Sequence, residues 1–262
     1  MEPAEHVRGQ IPLRPRPAVL VVRPPDYFPP VDHAALLARA SRVVLADTFA
    51  FSRQATHNRA RVLTAQGPQW VTVPRRHAPI GTALARVDVV DDGWARRHVR
   101  SLRTAYGMAP YVDWVMVDVE ALLRGPHASL GALAAATTEW ALRGLGGTTD
   151  VVRASALPGG PATLADVWEV AGRPPVLALA DSADRDRAAL EPLGGAVEAL
   201  AFDERPRRQV WPGPVRRVNP DLACPAGSPG GPEGGFSPGL SVLDVLMTYG
   251  PDARRALLGP EP

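Results

Sequence analysis

The stretch AVLVVRPPDYFPPVDHAALLARASRVVLAD, Ala18 to Asp47, decides the fold. It opens on AVLVV (Ala18 to Val22), a continuous apolar run of strand length. RPPDYFPP (Arg23 to Pro30) cannot continue that strand, because prolines remove backbone donors and restrict the residues before them, so it reads as a stiff loop. VDHAALLARA (Val31 to Ala40) has helical spacing and good helix formers, with Asp32 near the positive end of the helix dipole. RVVLAD (Arg42 to Asp47) is a second buried strand. Strand, loop, helix and strand within about 30 residues predict a right-handed βαβ unit, and hence an α/β fold whose sheet is mostly parallel and flanked by helices. Ligands of such sheets sit at the carboxyl ends of the strands. RPPDYFPP lies at one such end, and the polar run SRQATHNRAR (Ser52 to Arg61) follows the other after a short linker, TFAF.

Further strands are expected at QWVTVPRR (Gln69 to Arg76) and ARVDVV (Ala85 to Val90), which alternate apolar and polar residues. A helical middle segment follows: WARRHVRSLRTAYG, YVDWVMVDVEALL and LGALAAATTEWALRGL. In the first of these helices Trp94, His98, Leu102 and Tyr106 share one face, which makes His98 a core histidine, while Arg96, Arg100 and Arg103 make a solvated face. The second half returns to alternation, with strands at DVVRAS, PVLALAD and AVEALAFD and helices at ATLADVWEVAG and DRDRAALEPLG. A Pro/Gly-rich loop, PAGSPGGPEGG, precedes the C-terminal apolar helix LSVLDVLMTYG. The expected organisation is a tail over 1–17, one domain over 18–250, and a second tail over 251–262. A sub-boundary near 146–150 is the alternative division.

The chain has 262 residues, 45% of them hydrophobic and 21% charged, enough for a large buried core. It contains no lysine, which excludes a Schiff-base lysine and the GxxxxGK[ST] phosphate loop. A formal net charge of +2, with arginines interspersed among acids, argues against nucleic-acid binding along the chain. The single cysteine, Cys224, permits no internal disulfide and reads as a loop residue. The six histidines show no HxH or HExxH spacing, so no metal site is expected, and GxSxG is absent. With no apolar leader at the start and no long apolar run, membrane insertion is not expected, and the protein is read as cytoplasmic.

SRQATHNRAR is the strongest candidate for chemistry. Arg53, Arg59 and Arg61 suit a fork-geometry clamp on phosphate or carboxylate, with His57 and Asn58 as neutral donors; a solvated arginine-rich loop is the alternative. The loop before the first helix faintly resembles the HxGH loop of nucleotidylyltransferases, but Pro30 takes the first histidine position and Asp32 the glycine, leaving only His33. Asp244 is an acid amid apolar helix positions, and an arginine from 52–61 or 204–217 is expected opposite it.

Together these stretches resemble the WbqC-like family of bacterial surface-polysaccharide and related biosynthetic clusters. Pro24-Pro25-Asp26-Tyr27-Phe28-Pro29 matches its Q-P-x-Y-F-P loop, and Asp47, Phe51, Ser52, Arg53, Asn58 and Arg59 match D-D-x-Q-[FY]-S-[KR]-x-x-x-x-N-R. Gly67-Pro68-Gln69-Trp70, Trp94 with His98, Ala109-Pro110-Tyr111 and the terminal Leu240-Ser241-Val242-Leu243-Asp244 follow in order. Pro24, Thr48, Ala50, Gln54 and Ala60 depart from the family residues, and the family's G-P-G-G-R-D stretch is represented by Asp181 to Asp186 without its glycines.

The resemblance implies a transferase acting on an activated sugar or an amino or acyl intermediate, in surface-polysaccharide or natural-product biosynthesis. The implied ligand-binding set is Tyr27, Ser52, Arg53, Asn58, Arg59, Gln69, Arg185 and Asp244, joined by Arg61 from residue chemistry. Asp47, His33 and His57 are the acid or base candidates. No cofactor is identified; the expected co-substrate is of nucleotide-sugar or acyl-CoA type, and the expected partner is a small anionic molecule. A non-catalytic ligand-binding or scaffold descendant and a nucleotidylyltransferase-like enzyme are the other readings.

Overall fold

Alternate side chains of the first strand enter different cores, and the architecture follows from that. The structure, a computed structural model, describes residues 19–204, 209 and 236–259. Its first part runs β1 (Leu20–Arg23), α1 (Val31–Arg39), β2 (Arg42–Leu45), β3 (Arg59–Thr64), β4 (Gly67–Thr72), α2 (Trp94–Tyr106), α3 (Val112–Arg124) and α4 (Leu130–Gly144). It continues as β5 (Asp150–Arg153), α5 (Leu164–Val170), β6 (Val176–Leu179), α6 (Ala180–Leu190), β7 (Val197–Leu200), α7 (Val242–Tyr249) and α8 (Ala253–Leu258).

Leu20 and Val22 of β1 pack with Val44 of β2, Trp168 of α5 and Leu190 of α6. Val21 instead joins Val43 and Leu45 in a core completed by α1, α4 and α7. A strand covered by helices on both faces must be apolar at every position, which is why AVLVV and RVVLAD carry no alternation. β1 and β2 pair in parallel from Leu20 with Arg42 to Arg23 with Leu45. The parallel sheet has the order β5-β2-β1-β6-β7. The chain moves from β1 outward through β2 to β5, then crosses back to lay β6 on the other side of β1. The winding therefore reverses between β1 and β6, and a crevice opens at their carboxyl ends.

The segment between β2 and β5 holds the antiparallel hairpin β3-β4 and three helices. Two expectations change here. SRQATHNRAR is loop only to Asn58; from Arg59 it is β3, with Ala60 and Val62 buried and Arg59 and Arg61 turned to the other face. ARVDVV is not a strand. Leu84–Arg86 is a 3₁₀ turn, and only Val89 bridges to Arg75. Its backbone is committed elsewhere: Leu84 N–H donates to Phe49 (2.9 Å), Ala85 N–H to Asp47 (2.8 Å), and Val87 C=O accepts from Leu130 (2.7 Å). Alternation there reports a half-buried connector that braces the end of β2 against α4.

The expected C-terminal tail also changes, since α8 packs into the core through Ala253 and Leu257. The expected N-terminal tail, Cys224 and the PAGSPGGPEGG loop lie outside the described residues. No helix among the described residues is long and apolar enough to cross a membrane.

The brace depends on Gly131 of α4, where an added Cβ would stand 2.9 Å from both the carbonyl carbon of Leu84 and the nitrogen of Ala85. In an open helix, Gly to Ala adds roughly 0.5–1 kcal/mol of stability. At this backbone-on-backbone approach the sign reverses: Gly131→Ala should lower stability by about 1–3 kcal/mol, as overpacking does. Urea unfolding measures it, and a stabilised variant would contradict the close approach.

Candidate functional site

RPPDYFPP leaves β1 and turns at once into the crevice. The loop is held from three sides by short polar side chains rather than by regular structure. Thr137 and Thr138 of α4 place their hydroxyls 3.0 and 2.9 Å from the Asp26 carbonyl, and they accept from the N–H groups of Phe28 (3.1 Å) and Asp26 (3.2 Å). Ser241 donates to the Phe28 carbonyl (2.9 Å), and Tyr27 N–H donates to the Thr56 carbonyl (3.0 Å). Phe28 has φ +46°, a left-handed conformation costly for a bulky side chain. Its buried ring, edge-on to Tyr27 and Trp140 at 4.7 and 5.6 Å between centroids, holds it there.

This construction delivers Asp26, only 4% exposed, to the mouth of the crevice. Asp26 Oδ2 accepts from His33 Nδ1 at 2.7 Å, and Oδ1 accepts from the Thr56 hydroxyl at 2.5 Å. Burial alone would raise the carboxyl pKa, but attraction from His33, Arg23 and His57 outweighs it and holds Asp26 well below the usual carboxylate range. Asp26 is therefore an anion. His33 has Arg23 Nη2 at 2.7 Å from its Nε2. The same Nη2 is 3.2 Å from Nδ1, so the guanidinium lies over the imidazole face, while the contact with Asp26, which can only accept, places a hydrogen on Nδ1. His57 bonds through Nδ1 to the Pro25 carbonyl at 3.0 Å, and its burial pushes its pKa down.

Around this group lies a cleft of about 760 Å³ at the carboxyl ends of β1 and β6. Its polar wall carries Arg23, Asp26, His33, Ser52, Thr56 and His57, and the opposite wall is Ser182, Arg185 and Asp186 of α6. Burial pushes the Asp186 carboxyl up, against the attraction of Arg185 beside it. Leu36, Phe49, Leu164 and Leu177 supply apolar surface. An organic molecule with an anionic end fits that mixture. Among the described residues, no group of three or more His, Cys, Asp or Glu side chains is arranged to hold a metal ion.

Of the residues expected from sequence, His33, Ser52, His57 and Arg185 line this cleft together. The others are placed elsewhere. Asp47 is buried and accepts from the backbone N–H (2.9 Å) and hydroxyl (2.6 Å) of Ser155, joining the exits of β2 and β5. Tyr27 is in the core, its hydroxyl 2.9 Å from His98 Nδ1. Asn58 donates to the Val73 carbonyl at 3.0 Å, bracing the hairpin. Arg59 stacks over Trp70 at 4.6 Å and bonds the Gln54 carbonyl. Arg61 reaches the Pro238 carbonyl at 3.4 Å, and Arg53 and Gln69 are exposed. Asp244 is fully buried in α7, with Gln209 donating to its Oδ2 at 3.3 Å, and the rest of the expected segment 205–217 lies outside the described residues.

Arg23 and Asp26 were not among the expected residues, although both lie in the loop at the carboxyl end of the first strand. Position after the strand was the available signal; residue type drew attention to the denser run at 52–61.

A model of the WbqC-like protein family matches residues 24–173. An uncharacterized protein of Mycobacterium tuberculosis is 27% identical over 246 residues, covering 87% of this chain and 92% of that protein. No solved structure matches significantly.

The buried histidines set a pH signature. His98, with its Nδ1 accepting from Tyr27, has its pKa lowered by burial to about 4, from 6.5 in an unfolded chain. Below pH 6.5 the unfolded chain takes up a proton that the native one refuses, so stability is full above pH 6.5 and falls as pH drops toward 4. His57 acts in the same direction. Asp26 adds its loss only below the ordinary carboxylate range. The His98 share is about 3 kcal/mol at 1.4 kcal/mol per pH unit. Urea unfolding across pH 7 to 4.5 should show the decline, and His98→Gln should flatten part of it; a flat wild-type profile would contradict the assignment.

Proposed function

The chain belongs to the WbqC-like protein family, and from that membership and the chemistry of its cleft we propose that it is a biosynthetic transferase acting on an activated, anionic small molecule. The donor is of nucleotide-sugar or acyl-CoA type, and the setting is surface-polysaccharide or natural-product biosynthesis. One observation supports this reading above the others: a buried, ionised aspartate orienting a histidine at the reversal point of a parallel sheet. In this reading Asp26 holds His33 with Nε2 as its basic atom. An acceptor hydroxyl or amine attacks the activated carbon of the donor, His33 Nε2 takes the acceptor's proton, and the nucleotide or thiolate departs with the bonding electrons. Asp26 fixes the tautomer and stabilises the imidazolium that forms. Leu36, Phe49, Leu164 and Leu177 take the apolar part of the ligand and exclude water.

A non-catalytic binding protein is the second reading. It is favoured by residues 181–186, which stand where the family has its glycine-rich stretch and here lie within α6, so side chains replace close backbone approach.

A panel of nucleotide sugars, acyl-CoA thioesters and aminoacyl donors, screened by calorimetry and followed by product analysis, tests the choice. The expected result is transfer of a group from one donor class, with His33→Gln lowering kcat by roughly 10²–10⁴-fold while donor Kd stays within a few-fold. Binding without product would favour the non-catalytic reading, and wild-type turnover by His33→Gln would overturn the assignment of the base.

A further inference from the structure

One long stretch of the chain carries no negative charge. From Thr48 to Val87 there is no aspartate or glutamate, and there are six arginines, although the net charge of the whole chain is only +2. The remainder is therefore net acidic, and the average over the chain conceals a cationic block.

Four of these arginines gather at the mouth of the cleft without lining it. Arg53 stands exposed between Ser52 and Gln54, which do line it. Arg59 donates to the Gln54 carbonyl at 2.7 Å. Arg61 reaches the Pro238 carbonyl at 3.4 Å, next to Gly239 of the cleft wall. The Arg75 guanidinium lies 4.4 Å over the ring of Phe51, the residue between Ala50 and Ser52 of the same wall. Among the described residues none of the four forms an ion pair with a carboxylate, whereas Arg42, Arg97, Arg153 and Arg173 each pair with an acid. A molecule confined to the cleft meets none of the four, so their charge is directed at whatever lies against its mouth.

The surroundings of that charge narrow the occupant. Trp70, 48% exposed, stands directly across the hairpin from Arg61, and Ile80 is exposed in the loop that Phe51 N–H joins through the Thr82 carbonyl. An exposed tryptophan set among arginines is characteristic of protein-binding surfaces. Single-stranded nucleic acid would instead use open ring faces to stack its bases. Here the rings of Trp70 and Phe51 each already carry a guanidinium, that of Arg59 at 4.6 Å and that of Arg75 at 4.4 Å. An arginine stacked in this way still offers the edge of its fork to a carboxylate.

We propose that this rim is the docking face for an acidic protein, one that presents a carried substrate at the mouth of the cleft. Carboxylates of the partner supply the ion pairs that Arg53, Arg59, Arg61 and Arg75 lack, and Trp70 is the apolar anchor among them. That the carried group is a transfer substrate rests on the transferase reading; the docking does not.

Fluorescence anisotropy of a labelled poly-glutamate peptide with the full chain tests the face. Binding should weaken as salt rises, by screening, and Arg61→Gln and Arg75→Gln should each weaken it several-fold. Arg96→Gln and Arg100→Gln, at exposed and equally unpaired positions of α2, should leave it unchanged. A peptide of equal charge with leucines interspersed should bind more tightly, and Trp70→Ala should remove that gain. The amide resonances of Ser52, Gln54 and Gly239 should move as either peptide binds.

Absence of binding at low salt, equal losses from the α2 variants, or amide shifts confined to other surfaces would overturn the docking face. A leucine gain untouched by Trp70→Ala would overturn the anchor. Tighter binding of a thymidine oligonucleotide of equal charge would assign the rim to nucleic acid and overturn the acidic protein. If the expected pattern holds while no donor is turned over, the transferase reading falls and the docking face stands.

Discussion

One buried carboxylate, that of Asp26, organises the cleft at the carboxyl ends of the parallel strands. Taking an ionised aspartate out of water costs several kcal/mol unless its oxygens find donors. Asp26 meets that demand with one imidazole N–H and one hydroxyl, each from a different segment of the chain. His33 comes from the first turn of α1 and Thr56 from the loop before β3, so the carboxylate can be satisfied only when β1, α1 and the hairpin loop are all in place. Removing either partner would leave a buried charge short of a bond. The same arrangement that stabilises the anion therefore also sets the geometry of the imidazole beside it.

The loop that carries Asp26 is fixed by the helical segment between β2 and β5. Thr137 and Thr138 of α4 hold its backbone, and α4 is in turn pressed onto the Leu84–Ala85 turn through Gly131. Packing of α4 and bonding at the cleft are thus linked through about two turns of one helix. Tyr27 and Phe28, which carry the match to the family loop, serve as anchors in the core. Their place in the motif reflects how the loop is held rather than what it touches.

The parallel sheet was legible because strands buried on both faces leave an unbroken apolar run, and AVLVV, RVVLAD and PVLALAD are such runs. ARVDVV misled because alternation measures half-burial, which a 3₁₀ turn with a tethered backbone also produces. The cleft was half legible: His33, Ser52, His57 and Arg185 were found, while Arg23 and Asp26 were passed over. A lone arginine and a lone aspartate among prolines have no pattern of their own; what distinguishes them is the strand that ends before them and residues far along the chain. Arg59 and Arg61 illustrate the converse. Their density suggested a clamp, but β3 pairing carries alternate residues to the outer face of a hairpin, and their guanidinium groups bond backbone carbonyls.

Phe28, held at φ +46° by the rings and hydroxyls around it, makes one side of the cleft inelastic. A backbone already displaced from its relaxed minimum, in a loop with Pro24-Pro25 before it and Pro29-Pro30 after it, does not follow the contours of a new ligand. The facing side is the outer surface of α6, whose side chains can be exchanged without disturbing a strained turn. Substitution of Ser182, Arg185 or Asp186 would therefore reshape the cleft without disturbing Asp26 and His33. One wall of the cleft is thus set by backbone, the other by side chains.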